Sequence, residues 1–209
     1  FVRNGGSDIF SELNSSNNYF SENTWYHLAF VRDGNTVRLY GNGVQLDSAS
    51  YSGTWPDYTG SFIIGARPGQ GSNGVTEGYF EEVRVTKGHC RYPSGTTFSV
   101  PTAKFPGASG SGSSSESSGD SDWDKVTMLL PSDTTNGSTT FANSKNSSYT
   151  FTAGGFSSFS TGTAPSHSTA QEKWGDSSIR FYQNSTLVVG NHGADDFNFG
   201  NGDFTIELW

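Results

Sequence analysis

The sequence predicts an all-β protein, a β-sandwich or jelly roll built from short strands. Two observations give the all-β class. Short apolar runs alternate with polar residues at a period of two, the spacing of a strand half or wholly buried. Between them lie 27 Gly and many Ser, Thr and Asn, which punctuate turns. Aromatic residues make up 14% of the 209, ample for a core. The jelly-roll assignment comes from motifs set out below.

In chain order, residues 25–32 place Trp25, His27, Ala29 and Val31 on one face and Tyr26, Leu28, Phe30 and Arg32 on the other, a strand buried on both sides. Asp33-Gly34-Asn35 turns the chain into 36–40. Asn42-Gly43, the strongest short hairpin signal, returns it through 44–46, with Val37, Leu39, Val44 and Leu46 expected inward. Strands follow at 61–65 and 79–85. The second is expected to be continuous, with Tyr79, Glu81, Val83 and Val85 on one face and Phe80, Glu82 and Arg84 opposite. The later part offers 126–130, 149–152, 179–182, 187–189 and 204–209. Short strands at this spacing mean a sandwich or jelly roll.

Residues 107–122 hold eight Ser, four Gly and three acids, a composition that buries too little apolar surface to order itself. The chain is therefore divided into 1–105, a linker at 106–122, and 123–209. Net charge is −8, and the acidity belongs to the linker and the second part. So few Lys and Arg neutralise few phosphates, which argues against nucleic acid or an anionic membrane as partner. No apolar run reaches the length of a membrane span. The start at Phe1 and the end at Trp209, inside a predicted strand, read as a segment of a longer polypeptide, with any export signal outside it. Cys90 is the single cysteine, which excludes an internal disulfide and a multi-thiolate zinc site.

The segment Trp25-Tyr26-His27-Leu28-Ala29-Phe30-Val31-Arg32, followed by Leu39-Tyr40-Gly41-Asn42-Gly43, resembles the signature of laminin-G-like, concanavalin A-like modules. Ile63-Ile64-Gly65, Gly78-Tyr79-Phe80-Glu81-Glu82-Val83-Arg84-Val85-Thr86-Lys87-Gly88 and Cys90-Arg91-Tyr92 continue the pattern in order. After the linker, 126–130 with Asp133, then Thr139-Thr140-Phe141, Lys173-Trp174-Gly175-Asp176-Ser177-Ser178 and Gly202-Asp203-Phe204-Thr205-Ile206-Glu207-Leu208-Trp209 resemble the opening of the same module. The resemblance implies a concanavalin A-like jelly-roll β-sandwich of two antiparallel sheets, and the end of one module joined to the start of the next. Only residues 1–22 stand where the family has further strands, so the module is expected to be incomplete. An isolated half would expose unpaired strand edges, so the halves are expected to close on each other as a permuted sandwich.

Glycan hydrolysis on this scaffold uses two carboxylates on one strand face, and no such spacing is present. Glu81 and Glu82 are neighbours and would point to opposite faces, one of them paired with Arg84, so no enzyme is expected. The resemblance implies a structural calcium, held by loop oxygens, with Asp133 the first candidate ligand and Glu81 the second. His27, His89, His167 and His192 lack zinc-ligand spacing, and 196–207 fails as an EF-hand because Phe197 and Phe199 are bulky and Asn201 replaces the glycine. A sugar needs an aromatic platform beside polar groups. Trp55, Tyr58 and Arg67 in turn-rich sequence are the candidate set, although Trp55 could equally cover the end of the core. The expected function is non-catalytic glycan recognition or adhesion in a tandem-repeat surface or fibre protein, at a cell surface, outside the cell or on a virion. Its partners would be glycans and neighbouring modules. The alternative is a purely structural spacer.

Overall fold

In the computed structural model, residues 3–4, 7–8, 19–55, 61–65, 77–93, 95, 97–107, 119–154, 163–183 and 185–209 are described. The strands among them are β1 (Arg3–Asn4), β2 (Ser7–Asp8), β3 (Leu28–Asp33), β4 (Thr36–Gly41), β5 (Val44–Ser50), β6 (Phe62–Ile64), β7 (Gly78–Phe80), β8 (Val83–Lys87), β9 (Val126–Leu130), β10 (Thr150–Gly154), β11 (Ser166–Ser168), β12 (Ser178–Phe181), β13 (Thr186–Gly190) and β14 (Phe204–Leu208). Among the described residues the helical element is one 3-10 turn, Trp123–Lys125. The fold is all-β with several antiparallel sheets, as a concanavalin A-like jelly-roll sandwich requires.

The β3–β4–β5 meander forms where the turn chemistry places it. Gly34 takes the left-handed φ of 58° between β3 and β4, and Asn42 and Gly43 both take positive φ, 46° and 77°, as a tight hairpin demands. The Asn42 side chain also ends β3. Its Oδ1 accepts the His27 backbone N–H at 2.9 Å while the Asn42 backbone N–H donates to the His27 carbonyl, and β3 starts at Leu28 rather than at Trp25. Between Leu39 and Tyr40 the pairing with β5 shifts, from Leu39↔Asp47 to Tyr40↔Gln45, which leaves Leu46 as the extra residue of a bulge. The bulge breaks the expected inward row. Val37 is buried, but Val44 is 46% exposed and Tyr40 is buried on the opposite face.

The chain divides into two compact units, and each takes strands from both sides of the Ser/Gly-rich stretch. A six-stranded sheet has the order β5, β4, β3, β14, β8 and β9, of which β5, β4, β3 and β14 fall wholly in the first unit. Here β14, from near residue 209, inserts between β3 and β8, pairing Ile206 with Phe30 and Val85. β1 and β2 form a separate hairpin. In the other unit, β13 pairs with β10 and β6, while β12 pairs with β11 and β7. The halves thus close on each other strand by strand, as the unpaired edges of either alone require. β11 escapes sequence reading because Ser166-His167-Ser168 has no apolar alternation, and its pairing with β12 is what makes it a strand.

One expectation is corrected. Residues 79–85 are not one strand: β7 and β8 are separated at Glu81 and Glu82, Glu82 has φ of 56°, and the two strands join different sheets. A non-glycine residue at positive φ cannot continue an extended ladder, so the alternation stops there. Within the stretch read as linker, Asp120 is only 7% exposed and its backbone N–H donates to the Gly107 carbonyl at 3.0 Å.

Candidate functional site

Strand register determines which side chains meet. Ala29 stands opposite both Tyr40 and Glu207, and Glu207 stands opposite Arg84, so one face of the six-stranded sheet carries Ala29, Val31, Tyr40, Glu207 and Arg84. Ala29, Val31 and Tyr40 pack with Cys90, and Tyr92 and Phe98 lie against them. Into this apolar layer the fold sets a polar cluster. Glu207, with no solvent exposure, accepts hydrogen bonds from Arg84 Nε at 2.8 Å and from the Tyr92 hydroxyl at 2.5 Å, and its Oε2 lies 3.2 Å from His27 Nε2. Arg84 also reaches Asp120 at 3.1 Å and lies over the Phe105 ring at 4.0 Å. Arg91 grips both oxygens of Asp120, at 3.1 and 2.7 Å, and donates to Thr86 Oγ1.

Burial alone would push the Glu207 carboxyl up, but the His27 hydrogen bond, the Arg84 charge and the Tyr92 hydrogen bond outweigh it and hold it at about 2. Tyr92 moves the other way: burial first, then the adjacent Glu207 charge, keeps its phenol protonated well above the ordinary range. A carboxylate saturated by donors and closed to solvent is neither nucleophile nor proton shuttle. Its chemistry is cohesion, clamping β14 to β8 and, through Asp120, the end of the Ser/Gly-rich stretch to both arginines. The pairing expected between Arg84 and Glu81 or Glu82 is replaced by Glu207 and Asp120, residues remote in sequence.

In the second unit, Glu81 is buried and clamps a loop. Its carboxylate accepts the backbone N–H groups of Lys173 at 2.7 Å, Trp174 at 3.0 Å and Gly175 at 2.9 Å. Burial raises its pKa, the three N–H bonds oppose that, and the charge of Asp133 adds to the rise. Asp133 is exposed, and its charge also reaches His167. His167 bridges Ser132 Oγ at 2.6 Å and the Thr140 carbonyl at 3.0 Å, and burial lowers its pKa. Nε2 must donate to the carbonyl, so Nδ1 accepts the Ser132 proton. Ser132 is wholly buried and Ser177 donates to its carbonyl, which makes this serine–histidine pair a packed polar core.

Asp133 and Glu81 are thus brought within electrostatic reach of each other. Calcium takes six to eight oxygens, whereas Glu81 already spends both oxygens on N–H donors, and among the described residues no group of three or more His, Cys, Asp or Glu is placed to hold a metal ion. These residues fit a calcium cage poorly.

Trp55 is 7% exposed. Its ring packs against Tyr51, Phe30 and Phe204, and the Trp55 backbone N–H donates to the Gly200 carbonyl at 2.7 Å. Arg32 fastens the same loops: its buried guanidinium donates to the carbonyls of Gly34, Gly53 and Gly200 at 2.9 to 3.0 Å. This is the core-covering position that a tryptophan in turn-rich sequence also suits. Tyr58 and Arg67 lie outside the described residues. The clusters around Glu207 and Arg32 were missed because nothing local marks a carboxylate or a guanidinium that will be enclosed.

No curated protein and no solved structure matches the chain. The laminin-G-type family model described as the concanavalin A-like lectin/glucanases superfamily matches residues 1–89, which run through β1 to β8 and hold Arg32, Trp55, Glu81 and Arg84. That superfamily is compatible with carbohydrate-binding and adhesion modules. Residues 1–89 are therefore similar to the concanavalin A-like lectin/glucanase superfamily.

Proposed function

We propose that this chain is a non-catalytic recognition module, directed to glycans, of an extracellular, cell-surface or virion-surface protein built from repeated modules. The observation that carries the reading is the match of residues 1–89 to a lectin-type superfamily. Fold alone does not assign function, since one sandwich hosts many sites. A second observation supports the non-catalytic half. Glu207 and Glu81, the carboxylates at the centre of the two polar clusters, are both consumed by donors.

The structural-spacer reading is favoured by the burial of Trp55, which leaves its ring little surface for a sugar. A glycan-array screen of the 209-residue chain, with calcium and with chelator, separates the two. Saturable binding to a defined glycan supports recognition; a cooperatively folded chain that binds nothing in either condition means a spacer. The chelator arm also tests the calcium expectation at Asp133 and Glu81, and no part of the proposal depends on the ion.

A further inference from the structure

Among the described residues, the large hydrophobic side chains left exposed are Phe20, at 45%, and Val44. A single exposed apolar residue is ordinary, but Phe20 is the exposed member of an ordered aromatic group. Its ring meets Tyr19 at 5.0 Å and Tyr26 at 5.1 Å, both edge to face. The backbone on either side of it is fastened to one hydroxyl: Tyr26 Oη accepts the Ser21 N–H at 3.0 Å and donates to the Tyr19 carbonyl at 3.4 Å. Tyr19 is anchored in turn. Its hydroxyl donates to the Gly41 carbonyl at 2.6 Å, and its ring fills the space where a Cβ on Gly41 would come within 2.6 Å. The turn that follows exposes Ser21, Glu22, Asn23 and Thr24, with Asn23 at φ of 57° and Thr24 Oγ1 donating to the Glu22 carbonyl.

We propose that the turn of residues 19–26 is a platform for the apolar face of an uncharged pyranose, with Phe20 beneath the sugar ring and Ser21, Glu22, Asn23 and Thr24 hydrogen-bonding its hydroxyl rim. The inference rests on the glycan-recognition reading and gives it a site away from Trp55. Ligand sites combine an apolar surface with a few polar groups, and this turn supplies an exposed ring followed directly by four exposed polar residues. The fastening of residues 19 and 21 to Tyr26 means little order is lost on binding. Charge selects the ligand class: residues 19–26 contain Glu22 and no Lys or Arg, so an acidic sugar is repelled and a neutral one is not. One platform of this size gives weak binding, which presentation in tandem raises through effective concentration.

The test is an NMR titration of the 209-residue chain with cellotetraose, xylotetraose, mannotetraose and chitotetraose, to about 50 mM because millimolar affinity is expected, with sialyllactose as the charged control. The expected result is saturable shifts at residues 19–26 with at least one neutral tetramer. Affinity should fall tenfold or more in Phe20→Ala and persist in Phe20→Trp. Should Phe20→Ala fail to fold, shift mapping on the unaltered chain decides alone, and shifts confined to other residues overturn the platform. Binding that is unchanged in a folded Phe20→Ala overturns the platform and leaves glycan recognition standing. Absence of binding to every sugar overturns both. Tighter binding of sialyllactose than of any neutral tetramer overturns the ligand class.

Discussion

Replacing Glu207 by Gln tests whether the buried ion cluster holds the six-stranded sheet together. The carboxylate is fully enclosed and faces donors on every described side: Arg84 at 2.8 Å, the Tyr92 hydroxyl at 2.5 Å and His27 at 3.2 Å. A glutamine keeps the shape but presents one N–H₂ to that ring of donors, and it leaves Arg84 with only half its countercharge, from Asp120. Breaking one side of a buried pair costs about 3–5 kcal/mol. At roughly 2–4 °C per kcal/mol for a chain of this size, the midpoint at pH 7 should fall by about 6–20 °C. The pH dependence gives an independent check. The folded Glu207 pKa of about 2 lies below its ordinary 4.5, so its stabilisation is present above pH 4.5 and lost as pH falls towards 2. The gap corresponds to about 3 kcal/mol. Thermal melts followed by circular dichroism across that window should therefore show a steeper loss in the unaltered protein than in Glu207→Gln. A midpoint shift under about 1 °C at pH 7, with parallel acid profiles, would refute the reasoning. If the variant does not fold, the acid profile of the unaltered chain still reports on the cluster.

Three further outcomes follow from the same geometry. Asp133→Asn should lower the Glu81 pKa by removing a neighbouring negative charge, read by carboxyl carbon NMR, with a stability change under about 1 kcal/mol because Asp133 is exposed; an unmoved Glu81 would show that the two charges do not communicate. Gly43→Ala should cost about 2 kcal/mol or more, since φ is 77° and the new Cβ would sit 2.1 Å from the Phe98 carbonyl oxygen, whereas Gly34→Ala, with open space around it, should cost about 1 kcal/mol from backbone strain alone; equal denaturation midpoints would contradict this. Cys90 is buried, and its thiol is pushed up to about 11, first by burial, so alkylation by iodoacetamide at pH 8 should be slow in the folded chain and fast in denaturant; rapid labelling of native protein would mean that the layer over Ala29 and Tyr40 opens.

Much of the architecture is local in origin and so legible in the sequence. The Asn42-Gly43 turn, the two buried faces of β3 and the positions of β9, β12, β13 and β14 follow from residue type and a period of two. The bulge at Leu46 was not legible, because an extra residue in one strand shows only against its partner. The break at Glu81 and Glu82 was hidden likewise. Two glutamates are compatible with an alternating strand, and only the loop that donates three N–H groups to Glu81 turns the chain aside.

The site followed the same division. By itself the sequence determined the all-β class, the superfamily motifs and the residue types available to a site, because these depend on composition and short spacings. Tertiary structure alone decided that Arg84 meets Glu207 and Asp120 rather than its neighbours, that Trp55 turns inward and that Phe20 stays out. The physical reason is that enclosure and charge pairing depend on which distant strand lies alongside. Register, 123 residues along the chain in the case of Arg84 and Glu207, is a property of the assembled sheet rather than of any stretch within it.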